Sequence, residues 1–238
     1  MESNNKCLDW NPSDNEFFKC ILPKVLLIGH DPRLQTSDTI AEYALFADYY
    51  FREQPKNSSE KRKYNFAKKS FDQVLEITNK KYQAEEIYVT NLCNEALRHA
   101  PKNKTVLIPA PIAKKGVEHI KNILLENSSI ELVLPMSQQV NYWLQFFGFY
   151  HTNTDYLDKA KPNASGVNNK PPYYQAVKQR ESPFLKICGK VYTLDTGQKL
   201  IPILHTKQYG NGNFNGKLLP YKCNYDNLAK LFLEESLV

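Results

Sequence analysis

Short apolar runs, each stopped by a polar or conformationally special residue, constrain this chain more than any other feature. KVLLIG ends at Gly29, EIYVTNL (86–92) ends beside Asn91, and IELVLPM (130–136) runs into Ser137. Each is short and continuous, as a strand covered on both faces must be. KTVLIPAP (104–111) reads as a further strand ended by two prolines. Segments of helical period lie between them. TSDTIAEYALFADYYF (36–51) reads as a helix, with Thr39 and Glu42 at capping-box spacing or Ser37 as the cap. Residues 59–79 form a second, very basic helical segment, and a third runs from about 113 to 126. SQQVNYWLQFFG reads as a helix that starts at Ser137 and stops before Gly148. Strands alternating with helices predict an α/β fold, a three-layer sandwich with a central, mostly parallel sheet flanked by helices.

The rest of the chain fits one domain spanning 1–238. Residues 151–183, rich in Asn, Lys and Pro, have no clear period and read as a loop or insertion. KVYTLDTGQKLIPILHT reads as a hairpin around Asp195-Thr196-Gly197 whose second strand ends at His205. A short helix near 225–236 is expected to follow. With 238 residues, 42% of them hydrophobic, the chain can bury a sizeable core. Five cysteines, an odd number without a C-x-x-C pair, argue for reduced thiols and a cytoplasmic protein. No apolar run reaches the roughly 20 residues of a membrane span. The polar first residues do not read as a signal peptide. A monomer is expected.

In open parallel sheets, ligands bind at the carboxyl ends of the strands. Three such ends here carry polar groups: Gly29-His30-Asp31-Pro32, Thr90-Asn91 and His205-Thr206. Gly29 permits a turn or a close approach. Pro32 disfavours helical backbone at Asp31 and displays its carboxylate at the sheet edge. Taken singly, each residue has an ordinary role in a turn or at a strand end; together they place an acid, an amide and an imidazole at one mouth. The remaining histidines, 30, 99, 119 and 151, lack metal-ligand spacing. His119 reads as a surface position on the helix after 113.

These stretches resemble the motifs of the uracil-DNA glycosylase superfamily, of which the chain would be a divergent member. LLIGHDP resembles the first motif, IYVTNLCNEALRHAP the strand ending in the base-reading asparagine, and IPILHT the strand ending in the second-motif histidine. The resemblance implies a DNA glycosylase-like protein that flips uracil or a related damaged base out of DNA and hydrolyses its N-glycosidic bond. It implies that Asp31 orients water and stabilises the sugar cation. Asn91 would bond the edge of the flipped base, and His205 would donate to its O2. Phe46 would stack on the base, with Tyr43 behind it, and the backbone near Gly29 and His30 would complete the pocket. Two departures stand out. Arg33-Leu34 follow the first motif in place of the family's tyrosine. Thr206-Lys207-Gln208 replace the usual Pro-Ser after the histidine, leaving Lys207 as a phosphate contact. The cysteines are too scattered for the iron–sulfur cluster of some relatives, so neither metal nor other cofactor is expected.

Residues 52–81 carry a net charge of +5, against +6 for the whole chain. Lys61, Arg62, Lys63, Lys68 and Lys69 are therefore the candidate phosphate contacts for single- or double-stranded DNA; a solvated helix face is the ordinary alternative. A non-catalytic nucleic-acid-binding protein that keeps the glycosylase fold is the second functional reading. A hydrolase or nucleotide-binding enzyme of another family ranks last, because no G-x-S-x-G, G-x-G-x-x-G or P-loop is present.

Overall fold

The structure is a computed structural model, and it describes residues 16–19, 22–30, 42–52, 55–94, 108–152 and 183–206. Five strands, β1 (Val25–Gly29), β2 (Ile87–Asn91), β3 (Leu132–Pro135), β4 (Tyr192–Thr193) and β5 (Lys199–Leu200), form one sheet in the order β2-β1-β3-β5-β4. β1 pairs in parallel with β2 and β3, and β3 with β5; only the β4–β5 hairpin is antiparallel. Every residue of β1, β2 and β3 is buried, which explains their continuous apolar sequences.

The helices are α1 (Ala47–Tyr50), α2 (Ser58–Ile77), α3 (Ala110–Glu126), α4 (Gln138–Phe146) and α5 (Pro183–Ile187). Right-handed crossovers put α2, on the way from β1 to β2, on one face of the sheet. They put α3 and α4, which touch each other, on the other. The chain reverses its direction across the sheet between β1 and β3, and that is where a ligand crevice belongs in this architecture.

Local chemistry accounts for the helix limits. The Asn57 side chain accepts the Glu60 amide at 2.9 Å, capping the start of α2, and the Glu60 carboxylate accepts the amide of Lys56, just before the cap, at 2.8 Å. Ala67, Phe71, Val74 and Ile77 form its buried stripe. α3 lies so close to the end of β2 that a Cβ on Gly116 would sit 1.8 Å from the Leu92 carbonyl oxygen. Gly148 and Gly197 adopt φ of +66° and +94° beyond α4 and in the hairpin turn, where glycine is the least strained residue. The 16–19 segment lies along the outer edge of β2, with Phe17 and Val89 exchanging backbone bonds of 3.0 and 2.8 Å, and so covers an edge that would otherwise be open.

Three expectations are corrected. The helix read over 36–51 is not continuous: residues 31–41 lie outside the described residues, 44–46 form a 3-10 turn, and α1 is a single helical turn. Leu45 and Phe46 break the helix with φ of 55° each. Their apolar spacing satisfies helical period, but Leu45 must fold over Gly29, whose Cβ position lies 3.1 Å from a Leu45 methyl. In the 104–111 segment, residues 104–107 lie outside the described set, Ile108 and Pro109 are not in a strand, and α3 begins at Ala110. His119 is only half-buried surface: its ring contacts Glu16, which also accepts the Tyr88 hydroxyl. Residues 153–182 and 207–238, with the expected loop and terminal helix, also fall outside the described residues. Among the described residues no helix is long and apolar enough to cross a membrane.

Candidate active site

The sheet brings the polar strand ends to one edge. Gly29 and Asn91 are register partners in the β1–β2 pair, and the ladder runs on through Leu92 N to Gly29 O at 3.0 Å and Cys93 N to His30 O at 3.0 Å. On the other side of β1, Met136 N donates to Ile28 O at 2.9 Å, and Met136 bridges in parallel to Ile203. Asn91, Gly29, Met136 and Ile203 therefore form one row across four strands, and His205 lies two residues past its end. Three strand spacings put Asn91 about 14 Å from the β5 end of the row.

Gly29 is required for space. A Cβ there would lie 2.3 Å from Asn91 Oδ1, so the amide rests directly on the bare backbone of β1. Asn91 is fully buried, and the Leu45 side chain crowds the same Cβ position of Gly29. The group that approaches this glycine is the Asn91 side chain.

His205 is positioned by α2. Gln73 Nε2 donates to the Leu204 carbonyl at 3.0 Å, and the Ser70 and Thr206 hydroxyls lie 2.9 Å apart. Thr206 is buried, and its hydroxyl also meets Met136 Sδ at 3.6 Å. The threonine hydroxyl thus ties the strand end to α2 and to Met136 just past β3, which a proline could not do. Between them, His205 is half-buried with its ring 5.9 Å from that of Phe66, which in turn meets Phe46 edge-on at 6.1 Å.

Phe46 is half-buried at the break before α1, not on a helix. Two consecutive non-glycine residues with positive φ are costly and tend to sit at functional sites. Tyr43 turns away and packs edge-on against Phe17 at 5.3 Å. Tyr49 lies beside Phe46 and carries two cations: Arg52 at 4.4 Å from its ring and Lys63 at 5.1 Å, the latter also bonded to the Tyr49 hydroxyl at 3.2 Å. Asp48 contacts Arg52. Burial pushes the Asp48 carboxyl above its usual range, although Arg52 pulls it down.

The candidate phosphate contacts separate into groups. Lys68 is paired with Asp72 at 2.6 Å, and Lys63 is engaged by Tyr49. Lys61 and Lys68 lie on the flank of α2 away from Ser70 and Gln73, whereas Arg62 and Lys69 share the flank of Gln73. Asp31 and Lys207 lie outside the described residues, and His30 is half-buried beside Gly29. Among the described residues no three His, Cys, Asp or Glu side chains come together as a metal set.

Sequence reasoning missed two residues. Phe66 stands off the buried stripe of α2 between two basic residues, an interleaving that could have marked it. Ser137 sits at the β1/β3 switch point with φ 80° and ψ 158°, a region ordinarily left to glycine, and nothing in its local sequence signals this. A shallow cavity of about 400 Å³, lined by residues such as Lys81, Tyr82, Glu131 and Lys199, lies at the opposite edge of the sheet. Its rim is occupied by the Lys24–Glu131 ion pair at 2.9 Å, and it is remote from Asn91 and His205. Compared with known proteins, the chain matches no family model and no curated protein at a significant level.

Proposed function

We propose that this chain is a DNA glycosylase-like protein of the uracil-DNA glycosylase type, which flips uracil or a related damaged base and hydrolyses its N-glycosidic bond. One observation carries the reading: a buried asparagine amide pressed onto a strand-end glycine at the carboxyl edge, with an imidazole on the same edge held by α2. Breaking the glycosidic bond builds positive charge on the sugar and negative charge on the departing base. In this reading the Asp31 carboxylate stabilises the first and directs water to the sugar carbon. A fixed donor, His205, stabilises the second. Asn91 selects the base through its hydrogen-bonding edge, and Phe46 stacks on it.

A second reading, a nucleic-acid-binding protein without the chemistry, is favoured by Thr206, which anchors the strand end inward. Single-turnover excision and binding titrations decide between the two, using single- and double-stranded oligonucleotides that carry uracil, hypoxanthine or a U·G mismatch. Asp31→Asn and His205→Ala are each expected to slow excision by about 100-fold or more while changing binding little, because both groups act on charge that appears in the transition state. Asn91→Ala should also relax the choice of base. No excision of any base by the wild-type chain leaves the binding reading in place.

A further inference from the structure

We propose that one flank of α2 is a track for single-stranded nucleic acid, with Phe66 as its stacking platform and Arg62 and Lys69 as its phosphate contacts. The inference rests on the site accepting a nucleobase, and it specifies the form in which the polymer arrives.

Residues 62, 66, 69 and 73 recur at the spacing of one helix face. The lower end of this stripe is fixed: Gln73 bonds the Leu204 carbonyl at 3.0 Å, and Ser70, next to Lys69, bonds Thr206 at 2.9 Å. The stripe therefore rises from the strand end that bears His205. One turn higher is Phe66, half-buried, its ring 5.9 Å from His205 and 6.1 Å from Phe46. Phe66 thus stands edge-on to Phe46, a second aromatic ring one step outward from the candidate base site. Arg62 and Lys69 flank it, about 10 Å apart along the helix axis. Both are exposed, and neither has an ion-pair partner among the described residues. Between Ser59 and Gln73 no acidic residue falls on this stripe; the exposed Glu76 continues it one turn beyond Gln73. Lys68 differs on each count: it lies on the other flank and is neutralised by Asp72 at 2.6 Å.

The arrangement selects single strands for a simple reason. Phe66 offers a ring face, and a base can stack on it only with its own face exposed. A duplex hides its base faces, whereas every base of a single strand has one to offer. Cations on either side of an aromatic then hold the phosphates flanking the stacked base.

The test is the affinity of the full-length chain for an undamaged thymidine oligonucleotide, single-stranded and as a duplex, titrated over a range of salt. The wild-type chain is expected to prefer the single strand. Phe66→Ala should weaken single-strand binding roughly tenfold and remove the preference, while Phe66→Tyr, which keeps the stacking face, should restore both. Arg62→Gln with Lys69→Gln should flatten the logarithmic salt slope by about 0.7 per lost contact. Lys61→Gln with Lys68→Gln removes the same charge from the opposite flank and should change it by less than half as much. Equal affinity of the wild type for duplex and single strand overturns the track, as does an unaffected Phe66→Ala variant or equal losses from the two charge pairs. The glycosylase reading fails separately. Stripe-dependent single-strand binding without excision keeps the track and removes the enzyme; excision with binding indifferent to the stripe does the reverse.

Discussion

Replacing Gly29 with alanine tests the central contact of the site. The added methyl would lie 2.3 Å from Asn91 Oδ1 and 3.1 and 3.3 Å from two Leu45 carbons. Ordinary carbon contacts begin near about 3.5 Å, so the amide must move by more than an ångström in a fully buried setting. Overpacking of this kind costs about 1–3 kcal/mol. The backbone at Gly29 is ordinary strand, so alanine also returns about 0.4–1 kcal/mol by restricting the unfolded chain. The net loss in the wild-type background is then about 1–2 kcal/mol. In an Asn91→Ala background the amide oxygen is gone and only the flexible Leu45 side chain remains. There the same substitution should be neutral or stabilising by about 0.4–1 kcal/mol. Urea unfolding of the four proteins, followed by circular dichroism, gives the coupling directly. It should exceed the about 0.3–0.5 kcal/mol scatter expected for independent sites. If Gly29→Ala costs the same in both backgrounds, the Asn91 amide does not rest on β1, and the proposed base-reading role falls with it.

Gly116→Ala should destabilise the protein by about 3 kcal/mol or more, because the methyl would meet the Leu92 carbonyl oxygen at 1.8 Å, a backbone atom that cannot swing away; a midpoint in urea close to that of the wild type would contradict the close approach of α3 to β2. For Asp48, the carboxyl is raised by burial in the folded state, so its contribution is most favourable below its unfolded pKa and is lost as pH rises through the folded value. Asp48→Asn should accordingly melt higher than wild type near neutral pH, with the advantage fading as the buffer is acidified towards about pH 3.9. An asparagine variant that melts lower at neutral pH would mean that the Arg52 contact outweighs burial.

Much of the frame was legible in the chain itself. The central strands are buried on both faces, so they read as unbroken apolar runs, and their ends at Gly29, Asn91 and Met136 were visible to within a residue or two. Gly148 and Gly197 marked a helix end and a hairpin turn because both positions take positive φ. The long basic helix followed from its period, within two residues of its observed ends. Tertiary contacts decided the rest. The helix expected over 36–51 gives way at Leu45–Phe46, where local period is overruled by packing on Gly29. Thr206, a departure from a familiar motif when read in sequence, is an anchor to Ser70, 136 positions away. That Phe66 faces His205 and that Lys63 is held by Tyr49 depends on how α2 is rotated against its neighbours, whereas the Lys68–Asp72 pair lies within the helix. Strand continuity, glycine turns and helix caps are local and leave marks in neighbouring residues; the polar contacts that orient a site join distant residues, and their energy appears only once the sheet has brought those residues together.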